Sequence, residues 1–297
     1  MPRLIVNADD FGLTSGVNRA ILELHHAGVL SSATLMARAG ATDEAIHIAK
    51  ATPTLGVGCH IVLVDGEPIL PGIRDIPNIT DLPGNRFEPT LARFLITIHN
   101  GFGQSRLGPR IAEKVDAQIE LEARAQIQSL QSRGLTLIHI DTHKHTHMFP
   151  RVLRPVLRAA RACGIRAVRN PFEPAWSVAA TPHAPIIRRT QVRLLRLLAS
   201  SFHRIVAEHG FVTTSGALGV LATGTLDSPT LNSLLAAIPP AQPDAVYELV
   251  THPGYNDPAL AEANTRLQSS RDTERRALPQ LRNFPIPRIP FSALTDR

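Results

Sequence analysis

Short apolar runs recur along the chain and alternate with longer stretches whose apolar positions repeat at helical spacing. The runs cover residues 4–8, 33–37, 57–64, 135–141, 167–169, 211–213, 246–251 and 288–291. Most are near-continuous rather than alternating, as expected of strands buried on both faces of a parallel sheet. The helical stretches cover 15–27, 42–51, 110–133, 150–163, 185–209, 228–237 and 258–281. Ser15 is the expected N-cap of the first, and Gly28 its stop; Gly134 and Gly164 end two others in the same way. This βα alternation predicts an α/β fold. Its expected form is a distorted (β/α) TIM-like barrel of seven to eight parallel strands, in one domain over residues 1–297. Two stretches break the rhythm: 65–109, rich in Gly, Pro and Asn, and the proline-rich 170–185, which holds the only tryptophan, Trp176. Both are expected as loop insertions over the barrel mouth, with Trp176 a candidate to stack on a sugar face.

The polar residues at the ends of these runs carry the chemistry. Asp9 and Asp10 close the first, His60 lies in the third, Asp141 and His143 close the fourth, and His252 follows a late one. In a parallel barrel, reacting groups gather at the carboxyl ends of the strands. Adjacent carboxylates at the end of a buried strand repel each other and call for a cation or a proton. His139, His143, His145 and His147 keep an even spacing, which on an extended segment would place several imidazoles on one side. Carboxylates and imidazoles drawn from separate strand ends point to a divalent metal site. An Asp/His/His set suits zinc, and other divalent ions also. The second aspartate is then free as a base and His252 as an acid, the equipment for hydrolysing an ester or amide.

Composition narrows the class. An apolar fraction of 43% with 19% charged residues fits a globular enzyme. The net charge of +6, almost all from arginine, permits contact with nucleic acid or anionic lipid. A nucleic-acid binder needs a clustered basic face with stacking aromatics, and aromatic residues are only 4%. Cys59 and Cys163 imply no disulfide framework and fit a reducing compartment. Cys59, next to His60 on a strand, should face the packing layer. No apolar run approaches the roughly 18 residues of a membrane span, and the chain enters its first strand at once, so a cytoplasmic protein is expected. Residues 186–205 are basic and amphipathic, with Ile187, Leu194, Leu195, Leu198, Phe202 and Ile205 on one stripe. Ordinary packing against the barrel explains that stripe; peripheral membrane contact is the sharper reading. A homodimer is the commonest assembly for such a chain.

Four ordered motifs resemble a known family. They are Ile5-Val6-Asn7-Ala8-Asp9-Asp10-Phe11-Gly12, Gly56-Val57-Gly58-Cys59-His60-Ile61-Val62-Leu63, the segment from His139 through Asp141, His143, His145 and His147 to Pro150, and Glu248-Leu249-Val250-Thr251-His252-Pro253-Gly254-Tyr255. In these the sequence resembles the YdjC-type carbohydrate deacetylases, which include chitooligosaccharide deacetylases and members associated with hopanoid biosynthesis. The resemblance implies a distorted (β/α) barrel and metal-dependent removal of an acetyl group from an N-acetylated sugar. The substrate would be a chitooligosaccharide or an N-acetylglucosaminyl glycolipid such as a hopanoid. By the family pattern Asp10, His60 and His143 would hold magnesium or zinc, Asp9 would be the general base and His252 the general acid. Asp141, His145, His147 and Tyr255 occupy motif positions that would support the ligands or meet the substrate. Cys59 departs from the pattern, where a larger apolar residue is expected. A metal-dependent O-acetyl esterase or another metallohydrolase is the alternative from the same residues; a retaining glycosidase would need two carboxylates and no metal.

Overall fold

The computed structural model describes residues 1–80, 86–100, 108–181, 183–263 and 265–295. The first half runs β1 (Arg3–Phe11), α1 (Ser15–His26), β2 (Ser32–Met36), α2 (Thr42–Ala51), β3 (Gly56–Ile61), α3 (Gly72–Asp75), α4 (Leu91–Asn100) and α5 (Gly108–Ser132). Then follow β4 (Ile140–Thr142), a 3-10 turn (His143–Met148), α6 (Pro150–Ala162), α7 (Ala175–Ala179), α8 (Ile186–Leu195) and α9 (Ala199–Glu208). The chain continues through β5 (Gly216–Leu218), α10 (Ser228–Ala236), β6 (Val246–Thr251), α11 (Pro258–Glu262) and α12 (Gln268–Ala277). The strands form one parallel sheet in the order β4-β3-β2-β1-β6-β5, curled into a half-barrel. Alternation divides the faces: Leu4, Val6 and Ala8 enter the main core beneath the helices, while Ile5, Asn7 and Asp9 face the concave side. Cys59 lies in the same outer core, as its neighbour relation to His60 requires.

The sheet has six strands among the described residues, where the pattern predicts seven to eight. The runs at 167–169, 211–213 and 288–291 make only single bridges, Ile140 to Val168, Ala167 to Val212 and Leu4 to Arg288. Arg288 stands between Pro287 and Pro290, which lack the N–H groups a longer ladder needs. The fourth run pairs as a strand only over Ile140–Thr142. The sequence pattern misses β5, since Gly-Ala-Leu carries no periodic signal. The expected helix at 185–209 breaks into α8 and α9 at a 3-10 turn, and that at 258–281 into α11 and α12. The cap of α1 is Thr14 rather than Ser15: its Oγ1 accepts from the Val17 N–H at 3.2 Å. Gly28 stops that helix at φ 69, a left-handed turn that glycine adopts without steric cost.

Of the two insertions, the first carries α3 and α4 and leans on α5, where Glu122 accepts the N–H groups of Ile69 and Leu70. Its residues 81–85 and 101–107 lie outside the described residues, as does 182 in the second insertion. The stripe at 186–205 divides: Phe202 and Ile205 are buried, whereas Ile187 and Leu194 face solvent. No helix among the described residues is long and apolar enough to cross a membrane.

A separate cluster of Ile5, Ala167, Val246, Phe291 and Leu294 fills the floor of the curl at the amino ends of the strands. The His139 ring stacks on Phe291 there, centroids 3.7 Å apart and planes within 10°. It fits because residue 58 is glycine; a Cβ at Gly58 would meet the imidazole at 2.5 Å. Gly58→Ala is therefore expected to lower unfolding stability by about 1–3 kcal/mol, the usual cost of overpacking a core. Urea denaturation checks this, and an unchanged midpoint would mean that the ring has room to retreat.

Candidate metal centre

A β-bulge builds the first part of the site. β1 pairs with β2 at Asn7–Ser32 and Ala8–Ala33, then at Phe11–Leu35, so β1 spends one extra residue over this interval. Asp10 takes up the extra residue at φ 61, a left-handed conformation that Asp tolerates better than most side chains. On a regular strand Asp9 and Asp10 would point to opposite faces. The bulge turns both toward the carboxyl-end opening of the sheet.

Three side chains converge there. Asp10 Oδ1 lies 3.3 Å from His60 Nε2 and 3.5 Å from His143 Nδ1, and the two nitrogens are 3.2 Å apart. Ligand atoms held about 2.0–2.1 Å from a tetrahedral ion lie about 3.3–3.4 Å from one another, so the triangle has the dimensions of a metal site. Asp10 Oδ1 is buried and has no hydrogen-bond donor among the described residues. The His60 ring is fixed from behind, its Nδ1 2.7 Å from Asp141 Oδ1, so that Nδ1–H donates to the carboxylate and Nε2 faces Asp10 at the centre. Asp9, His60 and Asp141 also approach one another closely. Arg169 takes oxygens of both those carboxylates, whereas Asp10 Oδ1 has no donor among the described residues, which makes the Asp10 triad the better candidate ligand set.

Arg169 is fully buried. Its Nη1 and Nη2 donate to Asp9 Oδ2 and Oδ1, each at 2.6 Å, and Nη1 reaches Asp141 Oδ2 at 2.5 Å. Nε donates to Glu248 Oε1 at 2.7 Å. Burial works against the charge on Asp9 and Asp141, but Arg169 outweighs it and holds both carboxyls below their ordinary range. Asp10 is held well below its usual value despite burial, chiefly by Arg271, whose Nη2 donates to Oδ2 at 2.5 Å. Three ionised carboxylates thus face two guanidinium groups. Burial opposes charging His60, yet Asp141 and Asp10 push it up to about 10. That charged imidazole balances the third carboxylate, and a cation bound at the triad would take the place of its proton.

His252 follows β6, with Nε2 3.7 Å from Asp9 Oδ2. Its backbone N–H donates to Glu274 Oε2 at 2.6 Å. Burial drives the imidazole down to about 4, against the pull of Asp9 and Asp10, and pushes Glu274 up to about 7.

The structure thus brings Asp9, Asp10, His60, Asp141, His143 and His252 together. It revises the extended reading of the histidine segment: the strand ends at Thr142, and residues 143–148 form a turn with Lys144 and His145 left-handed. His147 uses both ring nitrogens in bracing, Nδ1 with the Thr142 hydroxyl at 2.7 Å and Nε2 donating to the Arg169 carbonyl at 3.1 Å. His145 packs 6.3 Å from the His147 ring; its Nδ1 is buried without a partner among the described residues, and burial drives it down to about 3. Trp176 and Tyr255 are not brought to the centre. Trp176 packs edge-on against Tyr247 near the amino end of β6. Tyr255 donates to Glu23 Oε2 at 2.6 Å, with Arg19 and Arg275 over its ring.

Sequence reasoning misses Arg169, Glu248, Arg271 and Glu274. Two of them carry a readable signal: Arg169 closes an apolar run as Asp10 does, and Glu248 is a lone carboxylate inside one, which burial allows only with a partner. Arg271 and Glu274 lie on the polar helix α12, where nothing local separates them from solvated neighbours.

The profile of the family described as YdjC-like protein matches residues 3–283. A carbohydrate deacetylase of Brevibacillus brevis is 34% identical over 258 residues, 87% of this chain and 84% of that protein. Another carbohydrate deacetylase, from Geobacillus stearothermophilus, is 39% identical over 173 residues, 57% of this chain and 62% of that protein. The crystal structure of a candidate cellobiose-phosphate cleavage protein from Enterococcus faecalis V583 shares the fold, with a TM-score of 0.70 at 23% identity over 99% of this chain and 98% of that one. The matched region runs from β1 past α12 and so holds every residue of the centre: the chain belongs to the YdjC-like family.

Proposed function

We propose that this protein is a metal-dependent carbohydrate deacetylase that hydrolyses the acetamide of an N-acetylated sugar. The observation that carries the reading is the triangle of Asp10 Oδ1, His60 Nε2 and His143 Nδ1 around a buried oxygen without a donor. The relatives named carbohydrate deacetylase support the substrate class. Two imidazoles in the ligand set favour zinc over magnesium, which prefers an all-oxygen shell. Bound at the triad, such an ion would polarise the acyl oxygen and make water a better nucleophile.

The chain's own groups manage the protons. Asp9 Oδ1 is saturated by Asn7, Arg169 and Thr34, whereas Oδ2 accepts only from Arg169 and faces His252. Oδ2 is therefore the oxygen that removes a proton from the attacking water. His252 is neutral at pH 7, so it must gain its proton during turnover, and Asp9 Oδ2 is the carboxylate oxygen facing its Nε2. Protonation of the sugar nitrogen by His252 then lets the C–N bond break, releasing acetate and the free amine. Both thiols are free, which suits a reducing compartment, and we place the enzyme in the cytoplasm.

Acetate release from chitobiose, N-acetylglucosaminyl lipid and acetylated monosaccharides, with metal content measured on the same samples, tests the proposal. Dialysis against a chelator should abolish release and a divalent ion restore it; full activity in metal-free protein would sink the reading. His60→Ala and Asp10→Ala should each lose the metal. Asp9→Asn should keep it while kcat falls by about 10²–10⁴-fold, the usual contribution of a general base. Undiminished turnover in that variant would remove Asp9 from its role.

A further inference from the structure

Helix α8 and the turn after it leave Ile186, Ile187, Leu194 and Leu197 exposed at 81%, 72%, 60% and 79%. On a regular helix these four fall within an arc of about 100°. None of the residues of α8 is buried. Its inner side holds to the body through Arg188, which donates to the Thr223 carbonyl at 2.8 Å, and Arg189, which donates to the carbonyls of Thr181 and Ala184. Val192 packs against Val178, Ala184 and Leu221 on that side. A helix covering a sheet buries its apolar stripe; this one turns its stripe outward.

The charge around the stripe identifies what covers it. Between Glu173 and Glu208 the chain has five arginines and no acidic residue. Arg188 and Arg189 are spent on carbonyls, while Arg193 and Arg196 are exposed and border the apolar arc on one side. A second copy docked through the same face about a two-fold axis would bring two such basic faces together, with no acidic residue of this segment to pair their charges. Anionic lipid complements them: aliphatic side chains enter the acyl boundary and guanidinium groups meet phosphates.

The position also matters. Thr223 lies in the segment that follows β5, at the end of the sheet where His252 follows β6. The next residue, Gly224, brings its backbone close to Glu274, the carboxylate that holds the His252 N–H. We propose that α8 docks the protein onto an anionic bilayer and holds the rim of the candidate centre against the lipid surface. Docking is read without any substrate, so it stands or falls apart from the deacetylase reading.

The experiment is flotation of the full chain with vesicles of phosphatidylcholine, alone or mixed with phosphatidylglycerol, at low and high salt. The protein should float with the anionic vesicles and not with the neutral ones. Ile187→Glu combined with Leu194→Glu should cut the bound fraction by about ten-fold or more, since it removes half of the exposed apolar anchor. Arg193→Gln with Arg196→Gln should weaken binding and flatten its salt dependence. Acetate release from soluble chitobiose should be unchanged in both double variants, which touch no residue of the centre. Absence of flotation at low salt overturns the proposal. So does equal flotation of the Ile187→Glu/Leu194→Glu protein, which would assign the attraction to net charge alone. A dimer that the same variants split would give the face to a second copy instead.

Discussion

The arrangement of the centre depends on one buried guanidinium. Arg169 sits among Asp9, Asp141 and Glu248 with no access to water, and the removal of any partner would leave an uncompensated charge inside the curl. Its effect reaches the candidate ligands in two steps. Arg169 fixes Asp141, and Asp141 receives the Nδ1–H of His60, so the opposite nitrogen of that ring must face Asp10. Arg169 also grips Asp9 with two nitrogens, which fixes the carboxylate's plane and leaves Oδ2 open toward His252. One cation thus orients a ligand on one side and the candidate base on the other.

The two halves of the chain contribute different things. Strands β1, β3 and the turn after β4 bring Asp10, His60 and His143, while the positive charges and the candidate acid come from later segments. Arg271 reaches Asp10 across 261 residues of sequence. It takes Oδ2 and leaves Oδ1 for the triad, so that Asp10 would offer a metal one oxygen. The same helix face, one turn on, places Glu274 on the backbone of His252. The three side chains of the triangle thus come from the first half of the chain, while the guanidinium groups that orient and balance them come from the second.

The legible part of this site was the part written at strand ends. Asp10, His60, His143 and His252 stand out because each interrupts or closes an apolar run, and buried runs admit such residues only for a reason. The bulge was not legible: nothing in Ala8-Asp9-Asp10-Phe11 states that the register slips, although two adjacent carboxylates serving one centre require it. The even spacing of the histidines misled for the converse reason. It assumes an extended backbone, while the chain leaves the strand at Thr142 and turns. The fold class followed from βα alternation, yet the strand count did not, because prolines and short pairings reduced three apolar runs to single bridges.

Backbone strain shows where the fold has been subordinated to the site. Among the described residues, the non-glycine positions with positive φ are Asp10, Asp65, Lys144 and His145. All four lie just beyond or within the carboxyl ends of β1, β3 and β4, and each conformation costs roughly 1–2 kcal/mol for an L residue. Side-chain pairing offsets part of this: Arg271 holds Asp10, and Lys144 Nζ meets Asp65 Oδ2 at 2.6 Å, so two strained residues restrain each other across the opening. A regular continuation of β1 would send Asp10 away from His60. A regular continuation of β4 would carry His147 away from the Arg169 carbonyl that it braces. The strained turns are thus what converts three parallel strand ends, whose side chains would otherwise alternate apart, into a single converging set.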